Sequence, residues 1–176
     1  VVRVATGLGM AIVARGGGAS YTDGYLPTTP KSITIDTSRL NKIVEINEED
    51  MFVTVESGVT WAEMAAALAE KSLRTPFWGP FSGLKATVGG SSSQNSLSMG
   101  TSAYGGSPES ILCYDIVLPS GEILKTGSSS MENSSAFFRH YGPDLTGLFS
   151  GDSGALGVKA RTTLRLIKLP THTLTS

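Results

Sequence analysis

Three consecutive glycines, Gly16-Gly17-Gly18, follow an apolar run, Ile12-Val13-Ala14, and precede Ala19, Ser20 and Tyr21. A strand that runs into such a loop can turn several backbone N–H groups toward one anion, because no Cβ stands in the way. A diphosphate is the usual ligand of that arrangement. An ordinary surface turn is the alternative, since glycine punctuates any loop.

Other short patterns carry less chemistry. Gly7-Leu8-Gly9 opens like a dinucleotide fingerprint, but Ile12 stands where the third glycine belongs and the pattern precedes a strand instead of following one. No Gly-Lys-Ser/Thr follows Gly18, so the triple glycine is not a Walker loop. Gly151-Asp152-Ser153-Gly154 reproduces the nucleophile segment of trypsin-like proteases. That chemistry needs a histidine base oriented by a buried aspartate. The two histidines, His140 and His172, have no triad setting, and His172 falls in an expected tail beyond Pro170. Two histidines and one cysteine make no zinc cluster. Asn133-Ser134-Ser135 is a formal glycosylation sequon with no sign of secretion beside it.

The elements around these residues can be read from periodicity. Met10 to Ala14 is a short buried strand feeding the glycine loop, and Ser32 to Asp36 alternates as a half-buried strand. Leu40 to Ile46 is a further strand, Asn47 to Asp50 a turn, and Met51, Val53 and Val55 one inward face of the next strand, which stops at Ser57-Gly58. Thr60 and Glu63 form a capping box, followed by a stripe of Trp61, Met64, Ala65 and Leu68. Gly79 to Gly106 is rich in glycine and serine and too long for an ordinary connection, so it is read as wrapped around a ligand rather than disordered. Ile111 to Leu118, Pro119 to Glu122 and Ile123 to Lys125 form a hairpin. Ser128 to Ser135 is a polar loop, and Pro143-Asp144 opens a short helix with Leu145, Leu148 and Phe149 inward. Ala155 to Leu169 is a long strand with Leu164 and Leu166 on one face and Arg165 on the other.

The chain has 176 residues, enough for a real core in one domain or two small lobes. Charged residues make up only 16%, against roughly 25% in an ordinary globular chain, and net charge is −1. No basic face argues for nucleic acid. No apolar stretch approaches the ~20 residues of a membrane span, and no signal-peptide pattern is visible, so a cytoplasmic location is expected. The single cysteine, Cys113, sits in an apolar run and is read as a buried small hydrophobe. Val1, Val4 and Ala5 are spaced like the end of an amphipathic helix, so a fragment of a longer protein is expected.

The order of motifs resembles the FAD-binding (PCMH-type) domain of the vanillyl-alcohol oxidase superfamily, the FAD-linked oxidases, nearest its glycolate oxidase and D-lactate dehydrogenase branch. Arg15 to Ser20 is similar to the family's diphosphate loop, and Ile35-Asp36-Thr37-Ser38-Arg39-Leu40-Asn41-Lys42-Ile43 to its strand-turn. Val55 to Trp61 resembles the lead-in to the linking helix. Ala86 to Gly90 and Gly100 to Gly105 resemble the paired glycine segments around the flavin. Asp144 to Phe149, with Gly154 to Val158, resembles the closing signature.

The resemblance implies FAD as cofactor and a set of binding residues. Gly16, Gly17, Gly18, Ala19 and Ser20, with Tyr21 beside them, would meet the diphosphate. Pro80, Ser82, Thr87, Gly89, Gly90, Ser93, Gln94, Asn95 and Ser96 map to a second cradle. Gly157 and Val158 would lie near the adenine through the main chain. Arg15 would either fix the loop or act electrostatically, and Tyr104, with Gly105, would pack or make contact. Relatives with a tethered flavin place a histidine where Ala19 stands and a cysteine in the segment around Pro80 to Ala86, where none is present. Noncovalent FAD is therefore expected.

These readings combine into an α+β, two-lobed fold. A strand-rich first lobe would span about 1–58 and a mostly antiparallel second lobe about 59–170, with a tail at 171–176 and FAD between the lobes. The parent protein would oxidise a 2-hydroxy acid or other alcohol by hydride transfer to flavin N5, with a further domain supplying the substrate pocket. No residue here is assigned as catalytic and none as a metal ligand. A flavin-carrying electron-transfer subunit and a scaffold without cofactor stay open as other classes. The intact Gly16–Gly18 and Thr87–Gly90 segments speak against the scaffold. Gly17→Val is expected to abolish flavin binding and leave the fold largely intact.

Overall fold

The computed structural model describes residues 1–171. The rest of the expected tail, His172 included, lies outside the described residues. Helix α1 (Val2–Gly7) leads into strand β1 (Ala11–Arg15), which pairs in parallel with β2 (Ser32–Asp36) from Ala11↔Ser32 to Arg15↔Asp36. Val2 and Ala5 are the buried side chains of α1, whereas Val1 and Val4 face out. The expected stripe was therefore one residue out of phase. A hydroxyl of Thr6 and the guanidinium of Arg3 donate to the Pro119 and Ser120 carbonyls, at 2.8 and 3.0 Å, and so anchor α1.

Strands β3 (Ile43–Asn47) and β4 (Phe52–Glu56) form an antiparallel pair. Helix α2 (Trp61–Ala69) starts at the expected capping box: Thr60 Oγ1 accepts from the Glu63 N–H, and the Glu63 carboxylate accepts from the Thr60 N–H. Those bonds hold the Glu63 carboxyl below its ordinary pKa. Trp61, Met64 and Leu68 are buried as expected, but Ala65 is exposed. Strand β5 (Leu73–Arg74) follows, then two short helices, α3 (Val88–Ser93) and α4 (Thr101–Tyr104), inside the Gly79–Gly106 segment that was expected to wrap around a ligand.

Strands β6 (Ile111–Val117) and β7 (Ile123–Lys125) make the expected hairpin. The turn α5 (Leu145–Leu148) buries Thr146, with Phe149 just beyond it. Leu145 and Leu148 are exposed, contrary to the expected inward face, because the Thr146 hydroxyl takes the inner position and donates to the Leu112 carbonyl at 3.1 Å. The long closing strand divides into β8 (Val158–Arg165) and β9 (Ile167–Lys168); β9 pairs with β5.

The main sheet has the order β3-β4-β8-β6-β7 and is antiparallel throughout. Together with the parallel β1–β2 pair and the flanking helices, this is the expected α+β architecture. The expected break at about residue 58 is not a sheet boundary. The β1–β2 pair ends at Asp36, and β3 and β4 already belong to the large sheet. Pairing of β4 with β8, over Phe52↔Arg165 to Glu56↔Arg161, draws the 43–56 segment there.

Burial follows the same division. Val53, Val55, Val59, Phe77, Val88, Ile116 and Leu164 are fully enclosed in one core. Trp61 meets Phe77 edge-on, with centroids 5.2 Å apart. Cys113 is buried, as expected.

One irregularity matters for the site. Asp115 pairs with Arg161, but Ile116 pairs with Lys159, so Ala160 is an extra residue in β8. A bulge of this kind breaks strict alternation and re-aims the side chains on one side of it. Lys159 consequently shares a face with Ile116 and Tyr114, not with exposed Arg161 and Arg165.

Candidate functional site

The cleft, of about 350 Å³, lies between the glycine loop and the large sheet. Gly16, Gly17, Gly18, Ala19, Ser20 and Tyr21 line one wall. Pro80, Ser82, Thr87, Gly89, Gly90, Ser93, Gln94, Asn95 and Ser96 line the opposite wall, and Gly157 lies on the floor. These expected residues come from three separate stretches of chain and share one cavity.

Four expected residues do not line it. Arg15 turns away, donating to Asp36 at 3.2 Å and lying 5.9 Å from the Tyr25 ring centroid. The Asp36 carboxyl is held below its ordinary pKa by bonds from Ser38 and then by Arg15. Tyr104 packs its ring 5.5 Å from the Arg74 guanidinium, which also lies 4.9 Å from the Trp78 ring. Gly105, just after α4, lies against the Glu109 side chain. Val158 buries its side chain opposite Val117 on β6, and its neighbours Gly157 and Lys159 take the cleft positions.

The glycine loop is shaped by contact as much as by conformation. Gly18 has φ +64°, a left-handed backbone that glycine adopts without strain. Gly17 has another reason: a Cβ there would sit 1.7 Å from the Lys85 carbonyl oxygen. The loop is thus pressed directly against the opposite wall. The N–H groups of Gly17, Gly18 and Ala19 have no acceptor among the described residues. A hydroxyl chain closes the far end, with Ser20 Oγ bonded to Thr22 Oγ1 at 2.8 Å and Thr22 donating to Gln94 Oε1 at 3.0 Å.

Helix α3 reads Val-Gly-Gly-Ser-Ser-Ser, a poor helix former. Its neighbours hold it in shape. Thr87 Oγ1 accepts from the Gly90 N–H at 3.2 Å, and Ser91 Oγ accepts from the Trp61 indole at 2.7 Å. Gly89 lets it lie on β4, since a Cβ there would come within 2.6 Å of the Ser57 Cβ.

Several lining residues had no sequence signal as site residues. Thr22, Tyr25, Ser57, Ser153, Gly154 and Lys159 all face the cleft. Ser57 Oγ is buried with no hydrogen-bond partner among the described residues. An unmet buried hydroxyl costs about 1–3 kcal/mol, and at Ser57, which lines the cleft, a ligand atom could meet it. Lys159 donates to Asp152 at 2.6 Å. Burial pushes its pKa down, and the Asp152 carboxylate opposes that shift. Beneath it, burial pushes the Tyr114 phenol up to about 12, and its hydroxyl bonds Ser150 at 3.1 Å.

A cleft lined by hydroxyls, free loop N–H groups and one cation suits a ligand with an anionic centre and polar arms. FAD, with its diphosphate, ribityl chain and adenosine, has that chemistry. No group of three or more histidine, cysteine, aspartate or glutamate side chains that could hold a metal occurs among the described residues.

The FAD binding domain family matches residues 1–127. The mitochondrial D-lactate dehydrogenase [cytochrome] of Arabidopsis thaliana is 32% identical over 158 residues, covering 90% of this chain and 26% of that protein. Glycolate oxidase subunit GlcD of Bacillus subtilis is 31% identical, covering 90% of this chain and 32% of its own length. D-2-hydroxyglutarate dehydrogenase of Xanthomonas citri is 29% identical, covering 97% and 34%. An alkyldihydroxyacetonephosphate synthase structure superimposes with a TM-score of 0.82 over 97% of this chain and 32% of its own, at 20% identity, which shows the fold. The chain spans between a quarter and about a third of the length of these relatives. Glycine loop, second wall and strand floor, in that order along the chain and around one cleft, agree with the family match: the chain belongs to the FAD-binding domain family, and its cofactor is FAD.

Proposed function

We propose that the whole protein is an FAD-dependent oxidoreductase that oxidises a 2-hydroxy acid or another alcohol, and that this chain holds its FAD noncovalently. The similarity of about nine-tenths of the chain to relatives named for lactate and glycolate oxidation carries the reading. In this scheme the flavin supplies a hydride acceptor for the alcohol carbon. The N–H groups of Gly17, Gly18 and Ala19 donate to the diphosphate. Ser57 and the hydroxyls of α3 satisfy polar atoms of the cofactor, and the apolar backing of Ala14 and Ala86 keeps water from it. Residues 16–25 would form one side of the site and 80–159 the other. The substrate pocket and proton acceptor would come from the part of the protein outside this chain.

The noncovalent part is supported by Ala19, which has no atom able to bond the flavin, and by the lack of cysteine and histidine among the cleft residues. No described helix is long and apolar enough to cross a membrane. The cytoplasmic location belongs to the same proposal and is tested by fractionation, since three eukaryotic relatives are named as mitochondrial.

Two measurements on the full-length protein test the proposal. Acid precipitation should leave the yellow flavin band in the supernatant; a yellow pellet overturns noncovalent binding. Anaerobic addition of D-lactate, glycolate or 2-hydroxyglutarate should bleach that band. No bleaching by any 2-hydroxy acid overturns the substrate class.

A further inference from the structure

Among the residues lining the cleft, Lys159 is the one with a formal charge. Its side chain and that of Asp152 are each 3% exposed. Asp152 itself does not line the cleft. Its carboxylate oxygens also accept from the N–H groups of Gly154 at 2.9 Å and Leu156 at 3.3 Å. The negative end of the pair is therefore turned into the 152–156 loop, and the positive end lies on the cleft side.

An ammonium has three donors, and Asp152 is the one hydrogen-bond acceptor that Lys159 has among the described residues. Its Nζ also lies 5.6 Å from the Tyr114 ring centroid, so an aromatic face backs it from the core. A buried ion pair is a poor device for stability, since apolar side chains of similar size do as well or better. Strict alternation along β8 would place Lys159 on the face of Arg161, in solvent. The extra residue Ala160 brings it to the cleft instead.

We propose that Lys159, fixed by Asp152, is a cofactor-binding residue whose ammonium is the cleft's positive complement to the FAD diphosphate. The diphosphate is the cofactor's charged group at neutral pH. The glycine loop meets it with partial charges only, and Lys159 adds a full one in a poorly solvated place. Asp152 is a positioning residue: it holds the ammonium and keeps it protonated against burial. The inference rests on FAD as the ligand.

The test uses the full-length protein, with FAD removed and restored, and compares Lys159→Met with the wild type. Affinities for FAD, ADP and adenosine are measured at several salt concentrations. Lys159→Met should weaken FAD and ADP by about tenfold or more, the effect of losing a charge-assisted hydrogen bond. Adenosine, which lacks phosphates, should change little, and the salt dependence of FAD binding should become shallower. If the unpaired Asp152 prevents folding, the double variant Asp152→Asn/Lys159→Met removes both charges and carries the same comparison. Equal losses for ADP and adenosine, or FAD affinity within about twofold of wild type, would overturn the proposal. A wild type that takes up no FAD overturns the cofactor reading itself; one that binds FAD beside an unaffected Lys159→Met overturns this inference alone.

Discussion

On one side of the cleft, no residue from Thr6 to Asp36 is fully buried. On the other, Phe52, Val53, Val55, Ile116 and Leu164 are at most 1% exposed. The parallel β1–β2 pair therefore has no core of its own. It is held through α1, through Gly16 and Gly17 pressed on Lys85 to Thr87, and through the Ser20–Thr22–Gln94 chain. The antiparallel sheet is held by packing. The difference separates two tasks: the sheet provides stability, and the thin wall provides backbone donors that can close on a ligand.

The contrast can be broken most directly from the sheet side. Leu164→Ala should cost about 2–5 kcal/mol in unfolding free energy and leave FAD affinity nearly unchanged. Ile35→Ala, in the wall, should cost no more than about 1 kcal/mol. Denaturant titrations of both variants check this, and similar losses would erase the distinction. From the other side, Gly17→Val should weaken FAD by at least about 100-fold, equivalent to about 2.7 kcal/mol, and leave unfolding of the sheet unchanged. The 1.7 Å approach of its Cβ to the Lys85 carbonyl means that the wall itself must move, so an intact fold is expected of the sheet and not of the loop.

Hydrogen exchange sharpens the comparison without mutation. Amides of β1 and β2 should exchange by local opening, and those of β4 and β8 only on global unfolding. A ligand that bridges both walls, as proposed for FAD, should at about 100 times its Kd slow the wall amides by about 100-fold. Unchanged wall exchange would mean that the ligand does not bridge the cleft.

The sheet side also has a pH signature. Tyr114 stays protonated in the folded chain up to about pH 12, while an unfolded tyrosine ionises near about 10. Between those values the unfolded state binds fewer protons, so stability falls as pH rises, by about 2–3 kcal/mol in all. Below that window the contribution is fully present. Tyr114→Phe should flatten the alkaline limb; a limb as steep as wild type assigns it to another group. Smallest of all, Thr22→Val removes the link to Gln94 and should cost less than about 1 kcal/mol, yet raise exchange in residues 19–25 alone.

Much of the sheet was legible because its residues obey local rules. The Thr60–Glu63 capping box, the β6–β7 hairpin and the alternation of Val53 and Val55 each have one physical reading. The glycine loop and the 80–96 cradle were legible through their motif order, and they do meet around one cleft. Helix α3 was not, because Val-Gly-Gly-Ser-Ser-Ser lacks propensity and is made helical by the Trp61–Ser91 bond and close packing on β4. Lys159 was hidden more deeply. A period-two reading assigns it to solvent, and the bulge at Ala160 that reverses this depends on pairing with β6, far away in sequence. Arg15 does not line the cleft for a similar reason: Asp36, brought beside it by the parallel pairing, holds its guanidinium against Gly18, which fits the loop-fixing one of its two expected roles.

The thin wall has a consequence for how this chain meets a protease. Residues 21–31 are exposed apart from partly covered Tyr25, the kind of stretch that a protease engages when it opens locally. Cofactor that clamps the wall removes that open form by mass action. Limited proteolysis of this chain would then cut the wall when cofactor is absent and spare it when cofactor is bound.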